Sequence, residues 1–480
     1  MKSSAEYVAS VRGLPRTVFL MGEQVADATA HPILRPSLNA LAETYRLAQD
    51  DDAGGLLRRP SPLTGGQVNC FTSIHLSTDD LVRKVQALRL LGQRTGCCFQ
   101  RCVGWDALNA LHIATFEVDQ ARGTSYHPRF LAYLRHVQEN DLVLNGAMTD
   151  VKGDRGRRPA DQADPDLYLH VVERRPDGIV VRGAKAHQTG AVFSHEIVVL
   201  PTTALRPQEA DYAVAFAVPV DTPGITHIVG RQSCDTRKLE GGDLDLGNAR
   251  FGGHEALVIF DDVFVPWERV FLCGETEFAG RLVECFAAFH RQSYGGCKAG
   301  VGDVLIGAAA LAAELAGVDQ VGHVRRKLAE MVHLNETLYA GGIACSHLGA
   351  AAPSGAYLVD LLLANVCKLN VTRHPFEIAR LAQDIAGGLL VTMPSERDWR
   401  NPQLRPVLEK YLAGVAGAPT EARLRVLRLI ENLTMGSCAA AYLTESLHGA
   451  GSPEAQMVVI GRLAGLEEKK RLARALAGME

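Results

Sequence analysis

Near residue 146 the apolar residues of this chain change their spacing from one helical turn to every second position, and near residue 271 they change back. A chain whose period switches in long blocks places its helices and its strands in separate regions, an α+β arrangement rather than a repeating βα series. The first block, residues 1–145, reads as an α-helical domain. "STDDLVRKVQALRLL" (77–91) opens with a Ser/Thr/Asp cap and places Leu81, Val82, Val85 and Leu88 on one face. "DALNALHIATFEVDQA" (106–121) repeats that spacing through Leu108, Leu111, Ile113 and Phe116. The middle block, 146–270, reads as a β domain. "LYLHVVE" and "IVVRGAKA" flank the turn "RPDG", a hairpin signal, and "HEIVVLPT", "YAVAFAVPV" and "EALVIFDDVFVP" continue the strands. Proline and glycine between them predict a small barrel or sandwich. The third block, 271–480, predicts long helices packed as a bundle, with a stripe through Val324, Leu328, Met331 and Leu334.

Composition narrows the function classes. The formal charge of −4 and the scattered basic residues give no footprint for nucleic acid. The most apolar run, "VLIGAAALAAELAG" (304–317), is short, rich in Ala and Gly, and interrupted by Glu314, so a membrane span is not expected. "MKSSAEYVASVRGLPR" at the N-terminus lacks the apolar core of a signal peptide, and a cytoplasmic protein is the expectation. The 11 cysteines are odd in number and fit a reducing compartment better than a disulfide framework. Most of them read as small buried hydrophobes.

Two cysteines invite another reading. In "TGCCFQRCVGWD" (95–106), Cys98 and Cys102 stand four apart, and on a helix they would share one face. In "FAAFHRQSYGGCKAG" (286–300), His290 and Cys297 are seven apart, two helical turns, although Gly295 and Gly296 count against a regular helix. Together these residues offer three thiolates and one imidazole. Such a set serves as core packing, as a structural zinc site, or as the ligands of an iron–sulfur cluster, and spacing alone does not choose among the three.

The segments "CCFQRCVGWDALNAL", "MTDVKGDRGRRP", "GAKAHQTGAVFSHE", "ALVIFDDVFVPWERVF", "HRQSYGGCKAG", "QDIAGGLLVTMPSE" and "ESLHGAGSPEAQ" carry a resemblance along nearly the whole chain. It resembles the 4-hydroxyphenylacetate 3-monooxygenase flavoprotein family, and in the first and fifth segments the branch of that family that carries cluster cysteines. The resemblance implies an acyl-CoA-dehydrogenase-like fold: a helical N-terminal domain, a middle β-barrel and a C-terminal helical bundle. It also implies that Cys98, Cys102, His290 and Cys297 hold a [4Fe–4S] cluster. The implied reaction is the radical dehydration of 4-hydroxybutyryl-CoA to crotonyl-CoA with FAD, accompanied by isomerisation of vinylacetyl-CoA.

The implied roles fall on particular residues. His290 would be both ligand and base. Tyr294 and Lys298 follow it at one and two turns, where they can reach the same face. Glu255, in an apolar strand, and Glu445 match carboxylates of the family's active site, and Gln100 matches a residue of its substrate pocket. For flavin, the resemblance selects Lys152, Asp154 and Arg155 in the "KGDR" turn, and Lys185 and Thr189 in "AKAHQTG". Gln383, Gly387 and Gly388 resemble the element that binds FAD pyrophosphate from a neighbouring subunit, which implies an acyl-CoA-binding homotetramer with FAD near its interfaces. Cys97 and the seven remaining cysteines (70, 234, 273, 285, 345, 367 and 438) read as packing. Two other functions compete: a two-component FAD-dependent aromatic-ring monooxygenase, and a zinc- or cluster-stabilised scaffold without activity.

Overall fold

The computed structural model describes residues 1–50 and 53–479. The helix Thr78–Thr95 begins where the cap predicts, with the Ser77 hydroxyl accepting the Asp80 amide, and ends on Gly96 in the left-handed conformation. The next helix, Cys102–Arg122, starts four residues before the predicted one and is apolar on nearly all sides, as a fully buried helix must be. Between the two, residues 96–101 form an irregular connection. Cys98 therefore lies in a loop and Cys102 opens a helix, so the two do not share a helical turn as expected. The reason is local: Gln100 adopts a φ of 63°, which no helix tolerates.

The middle region matches its alternation closely. Strand Glu255–Pro266 coincides with the run "EALVIFDDVFVP", and His170–Arg175 pairs antiparallel with Gly178–Thr189 across the two-residue turn Pro176–Asp177. These strands do not close into the expected barrel. They form a six-stranded sheet, in the order Glu23–Gln24, Thr17–Leu20, Ile225–Val229, Glu255–Pro266, Gly178–Thr189, His170–Arg175. A second sheet has four strands, in the order Val270–Cys273, Val214–Pro219, Glu196–Val199, Leu144–Ala147. Both stay open, since the outer strands of each sheet do not pair with one another. The edge strand His170–Arg175 also exposes Glu173, Arg174 and Arg175, charges that discourage further pairing. The sheets face each other across an apolar interior in which Phe216 meets Phe260 edge-on at 6.1 Å. The N-terminal strand Thr17–Leu20 runs parallel to Ile225–Val229, so the first block of sequence contributes to this sheet.

One helix organises the rest. Thr276–Leu315 runs unbroken for 40 residues and packs against Thr78–Thr95, Cys102–Arg122, Gly322–His347, Leu361–Val371, His374–Ala386 and Thr420–Thr434. Part of it is apolar enough to cross a bilayer by length and composition, and 61% of that window is buried inside the fold. Its glycines permit close approach rather than breaking it. A Cβ at Gly296 would fall 2.4 Å from the Val85 carbonyl oxygen, and one at Gly300 would fall 2.1 Å from that of Arg89. Backbone-to-backbone contact at this distance excludes every residue but glycine, and it presses the His290–Cys297 stretch against the helix that leads to Cys98.

Candidate active site

Five elements of the chain meet at one buried place. The long helix presents His290, Tyr294, Cys297 and Lys298 at helical spacing, as predicted. The connection after Thr95 brings Cys98, and the next helix brings Cys102. Strand Glu255–Pro266 contributes its first residue, and Glu445 follows a π-helical turn at Ala440–Thr444. Such turns insert one residue and re-aim the side chains after them.

The three thiols lie close enough to govern one another's ionisation. Burial pushes Cys98 and Cys102 well above the ordinary thiol range; Glu445 adds to the effect at Cys98, and Cys297 and Cys98 add to it at Cys102. Cys297 is raised by burial, and the neighbouring Lys298 partly opposes this. Three thiolates together in this place require a cationic partner, which is the electrostatic demand an iron–sulfur core or a metal ion satisfies. Among the described residues no three His, Cys, Asp or Glu side chains gather tightly enough for a single ion. A cubane contacts its ligands from separate corners and so spaces them more widely than one ion does. The soft S₃N donor set is of a kind that an iron–sulfur cluster accepts.

His290 is held from behind. Its Nδ1 donates to Asp106 Oδ2 at 2.7 Å, Phe286 stacks on the ring at 5.6 Å, and Tyr294 meets it edge-on at 5.0 Å. With Nδ1 engaged, Nε2 is the nitrogen available to a metal or a proton. Asp106 is fully buried and pairs through Oδ1 with the fully buried Lys84 ammonium at 2.5 Å. The Ser293 hydroxyl, with one proton to give, lies 3.1 and 3.3 Å from the two Asp106 oxygens and 3.0 Å from the Phe289 carbonyl. Burial alone would raise the Asp106 carboxyl, but Lys84 and His290 hold it below its ordinary value.

The carboxylates form a second pair. Burial pushes Glu255 well above the carboxylate range, and Glu445, close enough to hydrogen-bond with it, pushes it further. The Thr189 hydroxyl donates to Glu255 Oε2 at 2.8 Å. Lys298 Nζ donates to the Ala441 carbonyl at 2.5 Å and stands 3.9 Å from Glu445 Oε2. Burial would lower this ammonium, yet Cys297, Glu445, Cys98 and Cys102 around it leave it raised. Tyr294 is pushed well above the ordinary phenol range, first by burial and then by Glu445. Its ring lies 5.0 Å from Lys298 Nζ and 5.0 Å from Lys368 Nζ.

Other expected residues sit differently. Gln100 accepts the Ser37 hydroxyl at 2.7 Å and donates to the carbonyls of Ser37 and Gly252, so its amide clamps the thiol-bearing loop to the approach of Glu255. His254 Nε2 accepts the Val192 amide at 3.1 Å, which assigns its proton to Nδ1, 2.6 Å from the Ser37 oxygen in the same network. Lys185 is fully engaged. Its Nζ lies 2.9 Å from the Met148 carbonyl, the Leu200 carbonyl and Asp150 Oδ1, which leaves no donor for a flavin. Lys152 is half-buried at a φ of 72°, and Asp154 and Arg155 are exposed on the same turn. Gln383 lies in the last turn of the helix His374–Ala386, and Gly387 and Gly388 leave open space where a Cβ would stand, so their backbone is accessible to a phosphate. Cys97 and Cys438 are buried in an apolar cluster, and none of the 11 cysteines is bonded to another. Asp106, Lys84, Ser293 and Lys368 were not anticipated. The signal for Asp106 was its position four residues after Cys102, as the only Asp, Glu, Lys or Arg between Cys102 and Phe116.

Comparison with known proteins places the whole architecture. The profile of the 4-hydroxyphenylacetate 3-hydroxylase N-terminal part matches residues 3–272, and that of the C-terminal part matches 279–478. The chain is 54% identical over 489 residues to the 4-hydroxybutyryl-CoA dehydratase/vinylacetyl-CoA Δ-isomerase of Clostridium aminobutyricum, covering 100% of both chains. It superposes on an archaeal 4-hydroxybutyryl-CoA dehydratase from N. maritimus with a TM-score of 0.98 at 54% identity, covering 100% of this chain and 95% of that one. It superposes on the oxygenase component of 4-hydroxyphenylacetate 3-monooxygenase complexed with FAD with a TM-score of 0.88 at 27% identity, covering 99% and 98%. By the match of both halves and by its likeness to the dehydratases, the chain belongs to the 4-hydroxyphenylacetate 3-hydroxylase family of flavoproteins.

Proposed function

We propose that this protein is a lyase and isomerase that dehydrates 4-hydroxybutyryl-CoA to crotonyl-CoA and water and isomerises vinylacetyl-CoA to crotonyl-CoA. The observation that carries this reading is the meeting of Cys98, Cys102, Cys297 and the His290 imidazole with the Glu255–Glu445 pair at one buried place. A flavin hydroxylase needs no such thiol set. The likeness to the Clostridium aminobutyricum enzyme over the full chain supplies the substrate class.

Cys98, Cys102, Cys297 and His290 Nε2 would hold a [4Fe–4S] cluster. Lys152, Asp154, Arg155 and Thr189 would face FAD, whose pyrophosphate would meet Gln383, Gly387 and Gly388 of a neighbouring subunit in a homotetramer. When bound, these groups supply one-electron exchange with the thioester and an iron that polarises the C4 oxygen. The chain's own residues then manage protons. An ionised oxygen of the Glu255–Glu445 pair would accept the first carbon-bound proton. His290 Nε2 is placed to take the second carbon-bound proton. Tyr294 Oη, which donates to the Glu445 carbonyl at 3.5 Å, and the Lys298 ammonium offer hydrogen bonds to the substrate oxygens. Our reading also keeps the acyl-CoA-dehydrogenase-like division into residues 1–145, 146–270 and 271–480 and a cytoplasmic location.

The test is an anaerobic assay of the purified holoenzyme with both thioesters. Crotonyl-CoA from each supports the proposal. A protein that makes crotonyl-CoA from neither, yet hydroxylates a phenol with reduced flavin and oxygen, contradicts it.

A further inference from the structure

The buried Lys84–Asp106 pair needs an explanation beyond stability. Both side chains are fully shielded from solvent, and removing two charges from water costs more than their attraction routinely returns. An apolar pair of equal volume would hold the three helices at least as well. What an apolar pair could not do is accept a hydrogen bond from an imidazole N–H.

Every donor and acceptor around Asp106 is accounted for. Oδ2 takes the His290 Nδ1–H at 2.7 Å, and Oδ1 takes Lys84 Nζ at 2.5 Å. Ser293 spans both oxygens, and Lys84 donates besides to the Phe289 carbonyl at 3.1 Å. The Phe286 and Tyr294 rings fix the plane of the imidazole, but two apolar faces cannot distinguish one ring nitrogen from the other. Only Asp106 does that.

We infer that Asp106, held by Lys84 and Ser293, is the positioning residue that sets the tautomer of His290, keeping the proton on Nδ1 and turning an unprotonated Nε2 toward Cys98, Cys102 and Cys297. The inference rests on the proposed cluster site. It gives the carboxylate the task that second partners of metal-bound histidines commonly perform. It also explains how His290 can release a metal without leaving its place, since the Nδ1 anchor is independent of what Nε2 touches.

Asp106→Asn tests this directly. Lys84, which can only donate, claims the single amide oxygen at the Oδ1 position, so the amide NH₂ faces His290 Nδ1 and drives the imidazole proton to Nε2, while Ser293 keeps the Phe289 carbonyl as its acceptor. A second variant, Lys84→Met with Asp106→Leu, removes both charges together and leaves no unpaired ion to unfold the core. Each full-length variant is purified without oxygen, checked by melting, analysed for iron and sulfide, and examined by Mössbauer spectroscopy after loading with ⁵⁷Fe. In the wild type, one iron bound to nitrogen should differ from three bound to sulfur. The inference expects both variants to bind iron while losing that distinct site, with isomerisation about 10- to 100-fold slower. Variants that keep the wild-type spectrum overturn it. A wild type that carries no iron overturns the cluster reading itself, which separates the two failures.

Discussion

Gly449 stands so close to Tyr294 that a Cβ on the glycine would fall 1.8 Å from the phenol oxygen. The contact locks the segment after the π-helical turn onto the long helix at the point where Tyr294 approaches Glu445. Gly449→Ala is therefore expected to displace the phenol rather than to unfold the protein. A shift of about 1 Å at such a group costs on the order of 10²-fold in rate. Steady-state assays should show kcat for crotonyl-CoA formation falling by that order, with the melting temperature nearly unchanged. An alanine variant with full activity would mean that the Tyr294 hydroxyl plays no part.

The carboxylate pair makes a second prediction. Glu255→Gln cannot exchange a proton with Glu445, and removing a general base costs about 10²-fold or more. Both isomerisation of vinylacetyl-CoA and dehydration should fall together, because both begin with a carbon-bound proton. If isomerisation survives in E255Q while dehydration is lost, Glu255 belongs to the departure of the hydroxyl instead.

Lys185 separates a flavin contact from a structural lock. Its ammonium is spent on two carbonyls and on Asp150, which is itself buried. Lys185→Met leaves that carboxylate unpaired, a change that typically costs about 3–5 kcal/mol. Melting of the flavin-free protein should reveal the loss. Unaltered melting with weakened FAD binding would return Lys185 to the cofactor.

Acid should loosen the fold before it reaches the carboxylates. Burial pushes His195 and His254 down to about 3, and His112 and His227 to about 4. An unfolded histidine titrates near 6.5, so below that pH the unfolded chain binds more protons than the native one. Stability should therefore fall as pH drops from about 6.5 toward 4. His254→Gln, which removes one of the four, should lessen the slope. A melting temperature that stays flat across that interval would contradict the assignment of these rings as buried and neutral.

Much of this site was legible because helices and strands impose fixed spacings. His290, Tyr294, Cys297 and Lys298 could be placed on one helix from their separations, and Glu255 was conspicuous in an apolar strand. The loop carrying Cys98 was not legible. Its departure from helix depends on Gln100, whose left-handed backbone is fastened by Ser37 and Gly252, distant in sequence. The strain of that conformation is offset by contacts that no local pattern encodes. The three acceptors of Lys185 were likewise hidden, since Met148, Leu200 and Asp150 come to it from other parts of the chain. The barrel expectation failed at the edges: alternation identifies strands but says nothing about whether the outermost pair meet.

The central claim is that three thiols and one imidazole hold a cluster beside a flavin, and composition tests it most directly. Protein purified without oxygen should contain about four irons and four acid-labile sulfides per chain with one FAD, the stoichiometry of a single [4Fe–4S] centre. Cys98→Ser should lose most of the iron. Flavin with no iron or sulfide, in protein never exposed to air, would contradict the account.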